Sequence, residues 1–127
     1  MIFTDGASRG NPGPGAIGVV ITDEQGKLLT TISQSIGQAT NNQAEYRAII
    51  AALEKAMKLG VNQIDLRSDS EFAVRQINGQ YRVKSISLRP LYQRVKQLQS
   101  QFEGFTITHI RREENVEADK LANLALG

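Results

Sequence analysis

"IFTDGASRGNPGPGAIGVVIT", residues 2–22, decides the fold. Residues 1–8 read as a strand, because Ile2, Phe3 and Thr4 are apolar or β-prone. Ala16 to Thr22 reads as a second strand. Between them, residues 6–15 contain four glycines and two prolines, a loop composition. The first strand therefore delivers one carboxylate, Asp5, to the edge of a loose loop. Asp23-Glu24-Gln25-Gly26 is a turn signal, and Lys27 to Ile36 reads as a third strand. So short a turn makes the second and third strands a hairpin.

The period then changes. Tyr46, Ile49, Ile50, Leu53, Ala56 and Met57 form one helical stripe within Asn42 to Leu59, and Gly60 closes it. Gln63 to Ser68 is a short strand, and Glu71 to Ile77 a short helix stopped near Asn78-Gly79. Leu88 to Phe102 is helical, with Pro90 in the first turn, where a missing N–H does no harm. Phe105 to Arg111 is the last strand and Asn115 to Leu126 the last helix. The order β-β-β-α-β-α-α-β-α predicts an α/β fold. Its mixed five-stranded sheet combines an antiparallel meander with parallel strands and is flanked by helices. The 127 residues suit a single domain, 1–127, and 40% apolar residues suffice for one core.

Composition narrows the chemistry. There is no cysteine and only one histidine, which excludes disulfides, zinc–thiolate sites and histidine-rich metal sites. A metal here must be held by oxygen, which favours magnesium, manganese or calcium. No run approaches the roughly 20 apolar residues of a membrane helix, and no basic lead-in marks a signal peptide. The expectation is an intracellular, cytoplasmic protein with no membrane partner, acting as a monomer. Net charge is only +2. Its distribution is uneven: from Phe72 to Phe102 there is no acid, but there are Arg75, Arg82, Lys84, Arg89, Arg94 and Lys96. Such a block suits a polyanion.

Four carboxylates fall at element boundaries: Asp5, Glu45, Asp69 and Asp119. Each has a local explanation. Asn42-x-x-Glu45 and Ser68-x-x-Glu71 both fit capping boxes, the second leaving Asp69 as a helix-start acid. Asp119 suits a helix N-terminus, and Asp5 could accept hydrogen bonds from the glycine-rich turn. Glu45 and Asp119 nevertheless flank the packed stripes of their helices, where a carboxylate needs a partner. In a mixed α/β sheet, strand ends and helix starts meet at one edge, the usual place for ligands. Four acids gathered there would repel one another unless divalent cations neutralised them.

The four blocks "FTDGASRGNPGPGAIGVVI", "TNNQAEYRAIIAALE", "LRSDSEFAVRQINGQY" and "ENVEADKLANLAL", in this order, resemble type 1 ribonuclease H over nearly the whole chain. The resemblance implies that Asp5, Glu45, Asp69 and Asp119 are the catalytic, metal-binding acids. It implies two Mg²⁺ (or Mn²⁺) ions about 4 Å apart, Asp5 being the shared ligand. The activity implied is endonucleolytic cleavage of the RNA strand of an RNA–DNA hybrid, leaving 5′-phosphate and 3′-hydroxyl ends. Double-stranded RNA also presents 2′-hydroxyls and is not excluded by the residues. The alternative is a non-catalytic duplex-binding module, but a pure binder of polyanions gains nothing from clustered carboxylates.

By the same resemblance, Gly10 and Asn11 face the RNA strand, and Asn42 and Gln43 occupy sugar and base-edge contact positions. Amide side chains can donate to and accept from a 2′-hydroxyl. Tyr81, Arg82 and Lys84 follow Gly79 and suit phosphate contacts, which position a duplex without reading its sequence. Tyr46, Tyr81 and Tyr92 read as core or rim residues rather than stacking platforms. Two features depart from the family. Only Asn78 to Ser87 joins the second and third helices, so the basic protruding handle of many members is absent. The loop Arg111-Arg112-Glu113-Glu114 lacks the histidine many members carry, and Arg112 or Glu113 is the candidate to stand in. His109 is expected to pack within the last strand beside Phe105 and Ile107.

Overall fold

The computed structural model describes residues 1–127. Its elements follow the expected order: β1 (Ile2–Ser8), β2 (Gly13–Thr22), β3 (Leu28–Ala39), α1 (Asn41–Lys58), β4 (Gln63–Ser68), α2 (Glu71–Ile77), α3 (Arg89–Gln99), β5 (Gly104–His109) and α4 (Val116–Leu126). One 3₁₀ turn, Arg112–Glu114, precedes α4. The sheet order is β3-β2-β1-β4-β5. β1, β2 and β3 form the antiparallel meander, and β4 pairs in parallel with both β1 and β5.

The meander is longer than the hydrophobic pattern suggested. β2 starts at Gly13 and β3 runs on to Ala39, paired as Gly13↔Ala39 across an irregularity at Gly15/Ala16. Main-chain pairing here does not need apolar alternation, so composition hides it.

Two caps also differ from expectation. Thr40, not Asn42, caps α1: its hydroxyl accepts from Gln43 N–H, and Gln43 Oε1 accepts from Thr40 N–H at 2.9 Å. Ser70, not Ser68, caps α2, so Asp69 stands before the helix and is not its start acid. In both cases the acid is spared from capping.

The core lies between the sheet and α1–α3. Tyr46, Ile49, Leu53 and Ala56 of α1 are fully buried against Ile2, Val19, Ile21 and Leu66. Burial of each large side chain contributes about 1.5–3 kcal/mol. α4 covers the other face, where Ala118 and Ala122 are fully buried. Glycine sets how closely both layers approach. A Cβ on Gly6 would lie 2.2 Å from Ala44 C and 2.4 Å from Glu45 N. A Cβ on Gly18 would lie 2.1 Å from Ala118 O. Gly18 is the cross-strand partner of Asp5. These two approaches press the N-terminal ends of α1 and α4, which carry Glu45 and Asp119, onto β1 and β2.

His109 departs from expectation: it is exposed. It ends an edge strand, and the cover given by α2 stops at Asn78, whose Nδ2 donates to Ile107 O at 3.1 Å.

Candidate active site

The site follows from where β4 stops. β4 pairs with β1 only as far as Thr4↔Ser68. Beyond that point β1 continues to Ser8, paired on its other side with β2. Asp5 and Asp69 are thus the next residues of two adjacent parallel strands, which run roughly 4.8 Å apart. The open side of β1 still carries N–H groups that need acceptors. The N-terminal end of α1 supplies them: Gly6 N–H donates to Glu45 Oε1 at 2.8 Å and Ser8 N–H to Asn41 Oδ1 at 3.1 Å.

Carboxylate oxygens of Asp5, Glu45 and Asp69 all lie within 4.8 Å of one another. Asp119, on the first turn of α4, lines the same cavity of about 400 Å³ with Asn41, Arg112 and Asn123. The structure therefore brings all four acids to one pocket. The nearest cation is Arg112, whose Nη2 stands 3.9 Å from Asp119 Oδ1. No Lys or Arg nitrogen lies within 4 Å of Asp5, Glu45 or Asp69. Glu113 turns instead toward Arg111, at 3.8 Å, and does not line the pocket.

Crowding shows in the protonation energetics. Burial, then the charge of Asp69, raises the Asp5 pKa from 3.8 to about 8, with Asp119 adding to it. Burial, then Asp5 and Asp69, pushes Glu45 well above the usual carboxylate range despite the Gly6 hydrogen bond. Uncompensated carboxylates within one coordination sphere form a hard oxygen donor set. The residues present fit a hard divalent cation.

Asn115 holds this arrangement together and was not singled out by sequence pattern. Its buried side chain donates from Nδ2 to Thr4 O at 2.8 Å, pinning the start of α4 beside Asp5. Asp119 N–H donates in turn to Asn115 O.

A second, larger groove of about 820 Å³ lies beside the pocket. Asn11, Thr40 and Asn42 form its wall toward the acids, and Arg82, Lys84 and Tyr81 part of the other. Asn11 Oδ1 accepts from Asn41 N–H at 3.0 Å, so Asn11, Asn41 and Asn42 form a ridge between the two depressions. Phe72, Gln76, Ser85 and Ser87 also line the groove, and no acid does.

The reverse transcriptase-like family model matches residues 3–125. Ribonuclease HI of Halobacterium salinarum is 45% identical over 98% of this chain. The crystal structure of that organism's RNase H1 superposes with a TM-score of 0.96, covering 98% of this chain and 95% of the other. The chain belongs to the type 1 ribonuclease H family. An RNase H1 solved in complex with an RNA/DNA hybrid is 44% identical, with a TM-score of 0.91 and coverage of 98% and 94%. This ribonuclease H-like chain spans 62% of the length of the Halobacterium ribonuclease HI. It spans 35% of a Mycobacterium tuberculosis protein, named bifunctional, that is 42% identical to it.

Within the ribonuclease H framework, the remaining positions sort themselves. The connection between α2 and α3 is short, and no handle protrudes. Gly10 has φ of +87° in the exposed turn of the first loop and lines neither depression. Gln43 lines neither, and its oxygen is taken by the cap of α1. Tyr46 is fully buried and Tyr92 half-buried, whereas Tyr81 is exposed at the groove rim with the Arg75 guanidinium 5.5 Å from its ring centre. No helix is long and apolar enough to cross a membrane.

Proposed function

We propose that this chain is a metal-dependent endonuclease that hydrolyses the RNA strand of RNA–DNA hybrids, leaving 5′-phosphate and 3′-hydroxyl ends. The observation that carries this is the meeting of Asp5, Glu45 and Asp69 oxygens within 4.8 Å, without a neutralising side chain. Relatives named ribonuclease HI, and one solved with an RNA/DNA hybrid, support the substrate class.

Asp5, Glu45, Asp69 and Asp119 would hold the two Mg²⁺ or Mn²⁺ ions. When bound, these ions would lower the pKa of the attacking water and stabilise charge on the leaving 3′ oxygen. Asp5 stands in the fields of both Asp69 and Asp119, which suits it to a shared position. The Gly6 N–H fixes Glu45, and Asn115 fixes the base of Asp119, so the acids are oriented before substrate arrives. Arg112, exposed and 3.9 Å from Asp119, would meet the scissile phosphate or its product.

Substrate reading follows the ridge. The Asn11 oxygen is occupied by Asn41, which leaves its amide nitrogen free for a ligand, and Asn42 is exposed beside it. Both suit a minor-groove edge that presents 2′-hydroxyls. Arg82 and Lys84 would take phosphates of the uncut strand in the larger groove, contacts that position without reading sequence. All of these residues come from one chain, so a monomer suffices.

The test is incubation of labelled hybrid with Mg²⁺ or Mn²⁺, with and without chelator, beside an Asp69→Asn variant. Double-stranded RNA and double-stranded DNA serve as parallel substrates. Cutting of hybrid that stops with chelator and in the variant is the expected result. Cutting that survives the chelator would refute the metal-dependent reading. Binding of hybrid without any cutting would make the chain a duplex-binding module.

A further inference from the structure

The nuclease reading leaves one buried polar group unused. Gln76, on α2, is only 1% exposed, yet it lines the 820 Å³ groove. Its Oε1 accepts a 2.7 Å hydrogen bond from the hydroxyl of Tyr46, which is wholly buried. Burial pushes the Tyr46 pKa up, so the phenol keeps the proton that it donates to the carboxamide oxygen. The carboxamide is therefore locked with its oxygen turned inward. Its Nε2 makes no hydrogen bond within the protein, and it is not among the side-chain atoms sealed from solvent without a partner, Thr4 Oγ1 and Asn115 Oδ1. The amide nitrogen thus keeps a small exposed area, in a residue that lines the groove with Asn42, Tyr81, Arg82 and Lys84.

A fixed donor in a groove with two cations, Arg82 and Lys84, selects an acceptor of negative or partly negative charge. The groove contains no carboxylate that could serve, and the ridge Asn11–Asn41–Asn42 separates it from the acid pocket. A nucleic-acid backbone offers such acceptors at every nucleotide.

We propose that Gln76 contacts substrate directly, donating from Nε2 to a phosphate or sugar oxygen of the strand that is not cut. This rests on the nuclease reading for the identity of the duplex. Its contribution is to register: Tyr46 adjoins Glu45 in sequence, so the Tyr46–Gln76 bond ties the groove contact to the turn that carries a pocket acid. Loss of the contact weakens binding and leaves the chemistry at the acids intact.

Gln76→Glu keeps the acceptor for Tyr46 and replaces the donor by an oxygen facing the backbone. The expected result is a rise in KM for hybrid of about tenfold, with kcat changed by less than about twofold. Tyr46→Phe, which removes the lock and keeps the ring, is expected to raise KM by about threefold. Independently, the Gln76 side-chain amide protons are followed by NMR in the Asp69→Asn background as hybrid is added. They are expected to shift and to gain protection. An unchanged KM, or a fall in kcat at constant KM, would overturn the proposal in a variant that folds. Should Gln76→Glu fail to fold, silent amide protons on hybrid saturation overturn it equally. Failure of the wild-type chain to cut hybrid would instead strike the nuclease reading, with the amide shift still reporting the contact.

Discussion

Without divalent ions, the stability of this protein should fall as pH rises from 5 to 8, and Asp5→Asn should reverse the loss. The unfolded chain releases the Asp5 proton near pH 3.8 and the folded chain near pH 8. Between those values the folded state binds more protons, so raising the pH favours unfolding. Stability is thus fullest below 3.8 and is lost as pH rises through 8. Glu45 adds to the effect with the same sign. The groups facing Asp5 are Glu45, Asp69 and Asp119, with Arg112 the one nearby cation. The shift spans about four pH units at about 1.4 kcal/mol each, an upper bound near 6 kcal/mol. Salt screening and side-chain rearrangement reduce this, and about 3 kcal/mol is the expected size. For a chain of this length that is about 10 °C in Tm. The assay is circular-dichroism melting in chelator at pH 5 to 8, for wild type and Asp5→Asn. The variant should melt higher than wild type at pH 8, and the gap should narrow at pH 5. Millimolar Mg²⁺ should raise the wild-type Tm at pH 8 and move the variant less. A wild-type Tm that is flat from pH 5 to 8 in chelator would refute the reasoning, and so would a variant less stable than wild type at pH 8.

Gly6→Ala should destabilise the fold by about 3 kcal/mol or more in urea unfolding, because its Cβ would meet the backbone of Ala44 and Glu45. Where some of that variant remains folded, its Mg²⁺-induced Tm rise should shrink, since Glu45 is displaced. Asn115→Ala should cost about 2 kcal/mol, read in the same way, by leaving the buried Thr4 carbonyl without its partner. Arg82→Ala and Lys84→Ala should each weaken hybrid binding and reduce the salt slope of log K by about one, read by fluorescence anisotropy across ionic strength. Neither should alter the preference between hybrid and double-stranded DNA, because phosphate contacts carry no strand identity.

Local chemistry was enough to give this chain its element order. Strand, turn and helix signals act between residues close in sequence, so the meander, the stripe of α1 and the parallel pair joined by helical crossovers could all be read directly. The four acids stood out for a related reason: each lies where one element hands over to the next, a place defined by local pattern. What the pattern left open was which local partner each polar group would take. Thr40 and Ser70, not Asn42 and Ser68, cap α1 and α2. His109 faces solvent, because cover over an edge strand depends on where a distant helix ends. Only tertiary structure decided the closeness of the acids. It depends on β4 stopping at Ser68 while β1 runs on, and on the missing side chains of Gly6 and Gly18. It depends also on one carboxamide, Asn115, bonded 111 positions away. The locked amide of Gln76 is of the same kind, since Tyr46 lies 30 residues from it. Periodicity reports what a residue's neighbours in sequence are, whereas a site is made by atoms that meet only after the chain has folded.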